Sequence, residues 1–499
     1  MAQDRTQDSA IAHTRLFIDG AEAEPTGGRE HAQFNPARPS ELVGHAAMAT
    51  VEDVDRAVRA AHAAFPAWAG LSFAERAAKL RAIADALAEN EADVAARSRL
   101  FTREHGKILR ETLLELSRLG DRFRQSAGYA ERLATDETLQ APPFDTIVMR
   151  QPRGVAALIV PWNWPLSILG AKLPQALITG NTVVVKPAQN ASLVPVMTLQ
   201  IIARLLPPGV VNVVTGAASE IGDALVGHPL VRKVNFTGST AVGKHVGRVA
   251  LGNVTPVTLE LGGNDAALVL EDAALDDAAF MKMYLGGFAS TGQICMAMKR
   301  LYVHESRYDE VVDGLTAACN RAVVGDGLLP ETTMGPLNNA GQLGVVKSMI
   351  AEARDRGADV VELGQVPDEA LYRGGGYFQR PTLVLDADQS LSLVREEQFG
   401  PALPISRFRT EAEAVGLAND SEYGLCSSVW SADAERALRI ARQLEAGYTY
   451  LNNHGPMAQD GRGPFGGFKH SGIGRNLGYD GVLAFAEPHT ISGPTGFLF

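Results

Sequence analysis

Cys295 closes the run Thr291, Gly292, Gln293, Ile294, and two residue types able to work with it occur elsewhere: Glu260 in LELGG (259–263) and Asn163 in PWNWP (161–165). Together they supply a nucleophile, a base and an oxyanion donor. A thiolate can add to an aldehyde carbon, an amide donor can stabilise the resulting oxyanion, and a carboxylate can later activate water against a thioester. Each also has a plainer reading, since a lone cysteine is usually core packing and a glutamate near a strand end is usually a solvated charge or a helix cap.

The elements that must position these groups follow from hydrophobic spacing. From about residue 50 to 135 apolar positions recur at helical spacing, as at Val54, Ala57, Val58, Ala61 and Phe65. From Val155 onward short β-branched runs (VAALIV, TVVVKP, VVNVVTG, VRKVNFTG, PVTLEL) alternate with helical stretches, the pattern of a doubly wound parallel α/β sheet. A second alternating block starts near Asn264 and runs through ALVL, a helix around Phe280 to Ser290, RLYVHE, LCSSVW and YTYLNN; it carries Cys295. Residues 136–150 and the tail from about 484 fit neither pattern. No internal repeat or low-complexity tract occurs.

FTGST (236–240), with Gly243, follows a strand pattern and opens a helical one. Glycines there let backbone amides approach a pyrophosphate at a helix N-terminus, although the spacing is not GxGxxG and a structural turn gives the same letters. Cys319, in VVDGLTAACNRAVV, and Cys426, opening a strand, read as packing.

A chain of 499 residues, 46% hydrophobic, exceeds what one core usually serves and predicts two or three domains. A net charge of -11 leaves no basic footprint for nucleic acid. Three cysteines are too few for a disulfide framework and predict a reducing, cytoplasmic compartment. The N-terminal MAQDRTQDSAIAHTRLF has charges of both signs and no apolar core, so no secretory signal is expected. The apolar stretch from Gly154 to Ala171 is broken by two prolines and Asn163, so a strand, loop and helix are expected rather than a membrane span. None of the eleven histidines forms a ligand-spaced pair, so no metal is expected.

FTGST, LELGG, GQIC, EEQFGP and PFGGFKHSG occur in the order used by the aldehyde dehydrogenase superfamily, and the chain resembles its hydrolytic, non-CoA-acylating branch from about residue 15 to the end. The resemblance implies an α/β fold with a Rossmann-type NAD(P)-binding domain (1–135 and 151–258), an α/β catalytic domain (259–462) and a small β-flap (136–150 and 484–499) that pairs subunits into a homodimer or homotetramer. It implies oxidation of a small-molecule aldehyde with NAD+ or NADP+ through a Cys295 thiohemiacetal and thioester, with Glu260 activating the water. CoA-acylating relatives generally lack this glutamate. A structural or binding use of the fold would predict loss of nucleophile, base or donor, and all three are present.

By the same resemblance Phe236, Gly238, Ser239 and Gly243 belong to the cofactor site, with Ser239 near phosphate and Lys186 at the adenosine ribose. Glu397 and Phe399 hold the nicotinamide ribose and ring, and Trp162 lies on the cofactor side. Gln189 stands where NAD-preferring members often have a glutamate, so the electrostatic barrier to a 2'-phosphate is weaker and NADP+ is plausible. Lys172 matches a lysine near the catalytic glutamate that acts in proton relay; a snorkelling surface lysine is the alternative. Asn452 resembles an asparagine near the substrate end.

Ile294 and Met296 flank Cys295, and Trp162 and Trp164 flank Asn163, predicting an apolar tunnel for an aliphatic or aromatic aldehyde. A charged semialdehyde is the alternative; its distal carboxylate needs a clamp, for which Arg462, Arg122 and Arg124 are candidates. His454 borders the tunnel mouth in relatives, yet a loop histidine with no partner visible in sequence reads first as solvent-exposed. Phe465 and Phe468 read first as packing under a glycine-rich loop.

Overall fold

The structure is a computed structural model that describes residues 11–499. The first ten residues, which hold most of the charged N-terminal segment, lie outside the described residues. Where helical spacing predicts a helical layer, four long helices form: α1 (Val51–Ala69), α2 (Phe73–Ala88), α3 (Glu91–His105) and α4 (Leu109–Ala127). Their starts are written locally. Thr50 with Asp53 and Ser72 with Glu75 form reciprocal capping boxes, and Asn90 caps α3. Gly106, at φ +94°, ends α3 in the left-handed conformation that glycine adopts without cost.

All five predicted strand runs of the first block form one parallel array: β1 (Val155–Ile159), β2 (Thr182–Lys186), β3 (Val211–Val213), β4 (Val231–Thr237) and β5 (Val257–Glu260), in the spatial order β5-β4-β1-β2-β3. Antiparallel Leu16–Ile18 and Gly472–Ile473 extend its two edges. The strand order reverses between β1 and β4, and in such sheets ligands bind beyond the carboxyl ends of the strands at that point. The second sheet runs β8-β7-β6-β9-β10, all parallel, from β6 (Asp265–Val269), β7 (Met298–His304), β8 (Ala402–Phe408), β9 (Cys426–Trp430) and β10 (Tyr448–Leu451).

Sequence patterning misses β8, its outer neighbours Thr382–Leu385 and Asp359–Glu362, and the three-stranded N-terminal sheet of residues 12–14, 29–35 and 38–48. Most are short, edge-placed or interrupted by charges, so neither a helical nor a strand period develops. Segments Glu137–Ala141, Phe144–Pro152 and Ala486–Pro494, set apart by their patterns, pair as an antiparallel three-stranded sheet. The apolar stretch 154–171 resolves into β1, a loop and the short helix α5 (Pro165–Gly170). Among the described residues no helix is long and apolar enough to cross a membrane.

Candidate active site

Asn163, Glu260 and Cys295 come from three separate parts of the chain and line one cavity of about 130 Å³. Asn163 lies in the loop between β1 and α5, Glu260 ends β5, and Cys295 follows a tight turn in which Ser290, Thr291 and Gly292 all have positive φ. The buried Asn163 amide donates to the Gln293 carbonyl at 2.9 Å, tying the two loops together beside the sulfur.

Cys295 is only partly buried, opening on the cavity, yet surrounding protein pushes its pKa up to about 12. The Lys299 ammonium opposes that rise; it donates to the carbonyls of Ile294 (2.8 Å) and Cys295 (2.5 Å) and lies 3.4 Å from Glu397. Nothing about Lys299 in the sequence distinguishes it from a surface lysine. Glu260 is buried, its carboxyl raised to about 8 by burial, with Lys172 and Arg475 opposing. Glu260 Oε1 has no protein hydrogen-bond partner among the described residues, which leaves its acceptor capacity to the cavity.

Lys172 is fully buried, which removes the snorkelling alternative. Burial lowers its pKa to about 7 against the pull of Glu260 and Cys295, and its ammonium donates to Asn235, which in turn donates to Asn476 at 2.8 Å. Asn476 lines the cavity. Both asparagines are invisible to motif reading because they act only through contacts made by folding.

The expected dinucleotide residues gather at the carboxyl ends of the first sheet. Ser239 caps the helix α6 (Thr240–Leu251) directly after β4, and Gly238 lies against the Phe236 ring so closely that a Cβ would collide with it. Gly243 serves close helix packing on Leu261, and Phe236 itself is core. Lys186, at the end of β2, is buried and lowered to about 8 by desolvation. The Gln189 amide meets the His31 ring at 3.0 Å. Glu397, raised by burial, accepts from the Gly263 N–H at 3.0 Å, and Phe399 meets Trp162 edge-on at 5.6 Å between ring centres. A capped helix N-terminus at the reversal point, with glycines where side chains would clash, fits a dinucleotide.

Several expectations change. Trp162 packs on Phe399 and His105 rather than lining the cavity, whereas Trp164, Ile294 and Met296 do line it. Asn452 is turned away: both ends of its amide are held by the Ser431 backbone at 2.9 Å. His454 is fully buried, bonded to Ser428, and not a solvent-exposed loop residue. Arg462 is exposed and paired with Asp460, and Arg124 pairs with Asp85, so neither is a clamp. Arg122 does line the cavity, joined by Arg118 on the next turn of α4, which sequence reading passed over. Phe465 lines it too; Phe468 is exposed.

The aldehyde dehydrogenase family model matches residues 23–491. The glutarate-semialdehyde dehydrogenase of Pseudomonas aeruginosa is 36% identical over 483 residues, 96% of this chain and 98% of that protein. The geranial dehydrogenase of Castellaniella defragrans is 39% identical over 486 residues, 95% and 98% of the two chains. A crystal structure of betaine aldehyde dehydrogenase from Staphylococcus aureus in complex with NAD+ superposes at TM-score 0.91 with 32% identity, covering 99% of this chain and 97% of that one. With a match of this length and motifs meeting at one cavity, the chain belongs to the aldehyde dehydrogenase family.

Proposed function

We propose that this enzyme oxidises an aldehyde to its carboxylic acid with NAD+ or NADP+; the meeting of Cys295, Asn163 and Glu260 on one cavity carries the reading. The Cys295 thiol loses its proton to solvent in the open cavity, the thiolate sulfur bonds to the aldehyde carbon, and the carbonyl electron pair becomes an oxyanion held by the Asn163 side chain and the Cys295 backbone N–H. Glu397 and Phe399 would hold the nicotinamide, which when bound would accept the hydride released from this carbon as the oxyanion collapses to a thioester. Glu260 then takes a proton from water, whose oxygen attacks the thioester carbon; the carbon–sulfur bond breaks and the acid departs. Lys172, buried beside Glu260, favours the carboxylate and offers it a route for the proton.

Gln189 presents no carboxylate to a 2'-phosphate, which supports use of NADP+ beside NAD+. Leu114, Leu119, Ile168, Met296, Met457 and Phe465 give the cavity an apolar wall suited to an aliphatic or aromatic aldehyde. Arg122, whose pKa burial lowers, and Arg118 favour a second substrate reading, an aldehyde with a distal carboxylate. Among the described residues Glu260 is the one acidic group in the lining, and Asp121 and Asp460 act on Arg122 from outside it, so Arg118 and Arg122 together disfavour a cationic aldehyde without excluding it. Three free cysteines agree with a cytoplasmic setting. Leu139, Phe144 and Ile491 are exposed on the three-stranded sheet, which supports its pairing with another copy.

The test is formation of NADH and NADPH over apolar, anionic and cationic aldehydes with each cofactor. Turnover of the apolar class, or of the anionic class at the expense of the cationic, supports the reading. Cys295→Ala should bind cofactor yet make no reduced nicotinamide, and retained turnover would overturn the mechanism.

A further inference from the structure

The first two turns of α4 carry carboxylates that reach both catalytic loops from behind. Glu115 Oε1 accepts the Leu166 N–H at 2.6 Å and the Ser167 N–H at 3.0 Å, at the start of α5 just after Asn163. One turn earlier, Glu111 Oε1 accepts the Ser290 N–H at 2.6 Å, at the entry to the positive-φ turn that leads to Cys295. Between them Lys107 pairs with Glu115 at 2.5 Å, both side chains without solvent exposure, and its Nζ lies 4.0 Å from the centre of the Trp164 ring on the cavity wall. Two carboxylates thus share one ammonium and three backbone amides in an interior where an unmet charge is costly. Burial raises Glu111 against the pull of Lys107 and of the Ser290 and Ile108 backbones.

We propose that Glu111 and Glu115 are positioning residues that set the spacing between nucleophile and oxyanion donor, with Lys107 as their common counter-charge. Neither touches the cavity: the same helix delivers Leu114, Arg118, Leu119 and Arg122 to it. A single rigid helix therefore fixes the Asn163 loop, the Cys295 turn and the substrate wall in one frame, and a displacement of about 1 Å in such a frame costs on the order of 100-fold in rate. The proposal rests on the roles of Asn163 and Cys295 given above.

The test separates positioning from folding. In Glu115→Gln the NADH burst is expected to slow about tenfold or more, while NAD+ affinity, read from tryptophan quenching, and alkylation of Cys295 by iodoacetamide stay at wild-type values. In Glu111→Gln the alkylation rate itself changes, because the nucleophile turn loses its anchor. The triple variant Lys107→Met/Glu111→Gln/Glu115→Leu removes the ammonium together with both carboxylates that share it, which leaves none of these charges unpaired, and should share the burst defect. A wild-type burst in folded Glu115→Gln overturns the proposal. So does an unchanged alkylation rate in Glu111→Gln, or equal loss of burst and alkylation in both variants. A burst persisting in Cys295→Ala would instead sink the underlying reading of the site.

Discussion

Two buried groups beside the cavity have pKa values moved toward neutrality from opposite sides, Glu260 up to about 8 and Lys172 down to about 7. A base works as its carboxylate, so where deacylation limits turnover the rate should climb as pH rises toward about 8 and level off above it. Replacing Lys172 by Met removes a group that opposes the burial-driven rise of Glu260, and the rising limb of the pH–rate profile should move to higher pH. An unmoved limb would remove Lys172 from the chemistry. Glu260→Gln should keep the first turnover and lose steady-state turnover by about 100-fold or more, seen as a burst that does not continue. With the Cys295 thiol raised to about 12, iodoacetamide alkylation of the resting enzyme should rise steeply with pH through the alkaline range.

At the level of elements, the nucleophile depends on a turn whose conformation no ordinary residue takes cheaply. Gly292 has φ +70°, and a Cβ there would collide with the Gly400 backbone in the segment that carries Glu397 and Phe399. Gly292→Ala should lower the unfolding midpoint by several degrees, on the order of 2 kcal/mol, and weaken cofactor binding together with turnover, measured by thermal denaturation and titration. Local signals made most of this layer legible beforehand. Apolar residues at helical spacing from about 50 to 135 mark the helical layer, and the VAALIV and TVVVKP runs mark central strands. The strands 359–362 and 382–385 escaped because each is only four residues long, too short for an alternation to stand out.

Across the whole molecule, the strand Ala486–Pro494 crosses from the C-terminus to complete a sheet with residues 144–152 and 137–141. If this sheet pairs with another copy as proposed, deleting residues 486–499 should leave Phe144–Pro152 with one free edge and lower the mass toward that of a monomer in light scattering; an unchanged mass would refute the pairing role of this sheet. Charge at the cavity makes a further prediction at this scale. Arg118 and Arg122 together should make kcat/KM for a trimethylammonium aldehyde at least about tenfold lower than for its uncharged counterpart, and Arg118→Ala/Arg122→Ala should narrow that gap.

The sequence alone determined the family and the parallel α/β architecture and singled out Cys295, Glu260 and Asn163 as candidates, because these are carried by residue types and by periods that repeat over a few residues. Tertiary structure decided what depends on distant chain segments meeting. Lys172 became a buried neighbour of Glu260 rather than a surface charge, Asn452 turned to Ser431, His454 sank into the core, and Arg118 with Arg122 displaced Arg124 and Arg462 at the cavity. Burial and pairing belong to the surroundings of a side chain, and those surroundings come from residues up to hundreds of positions away.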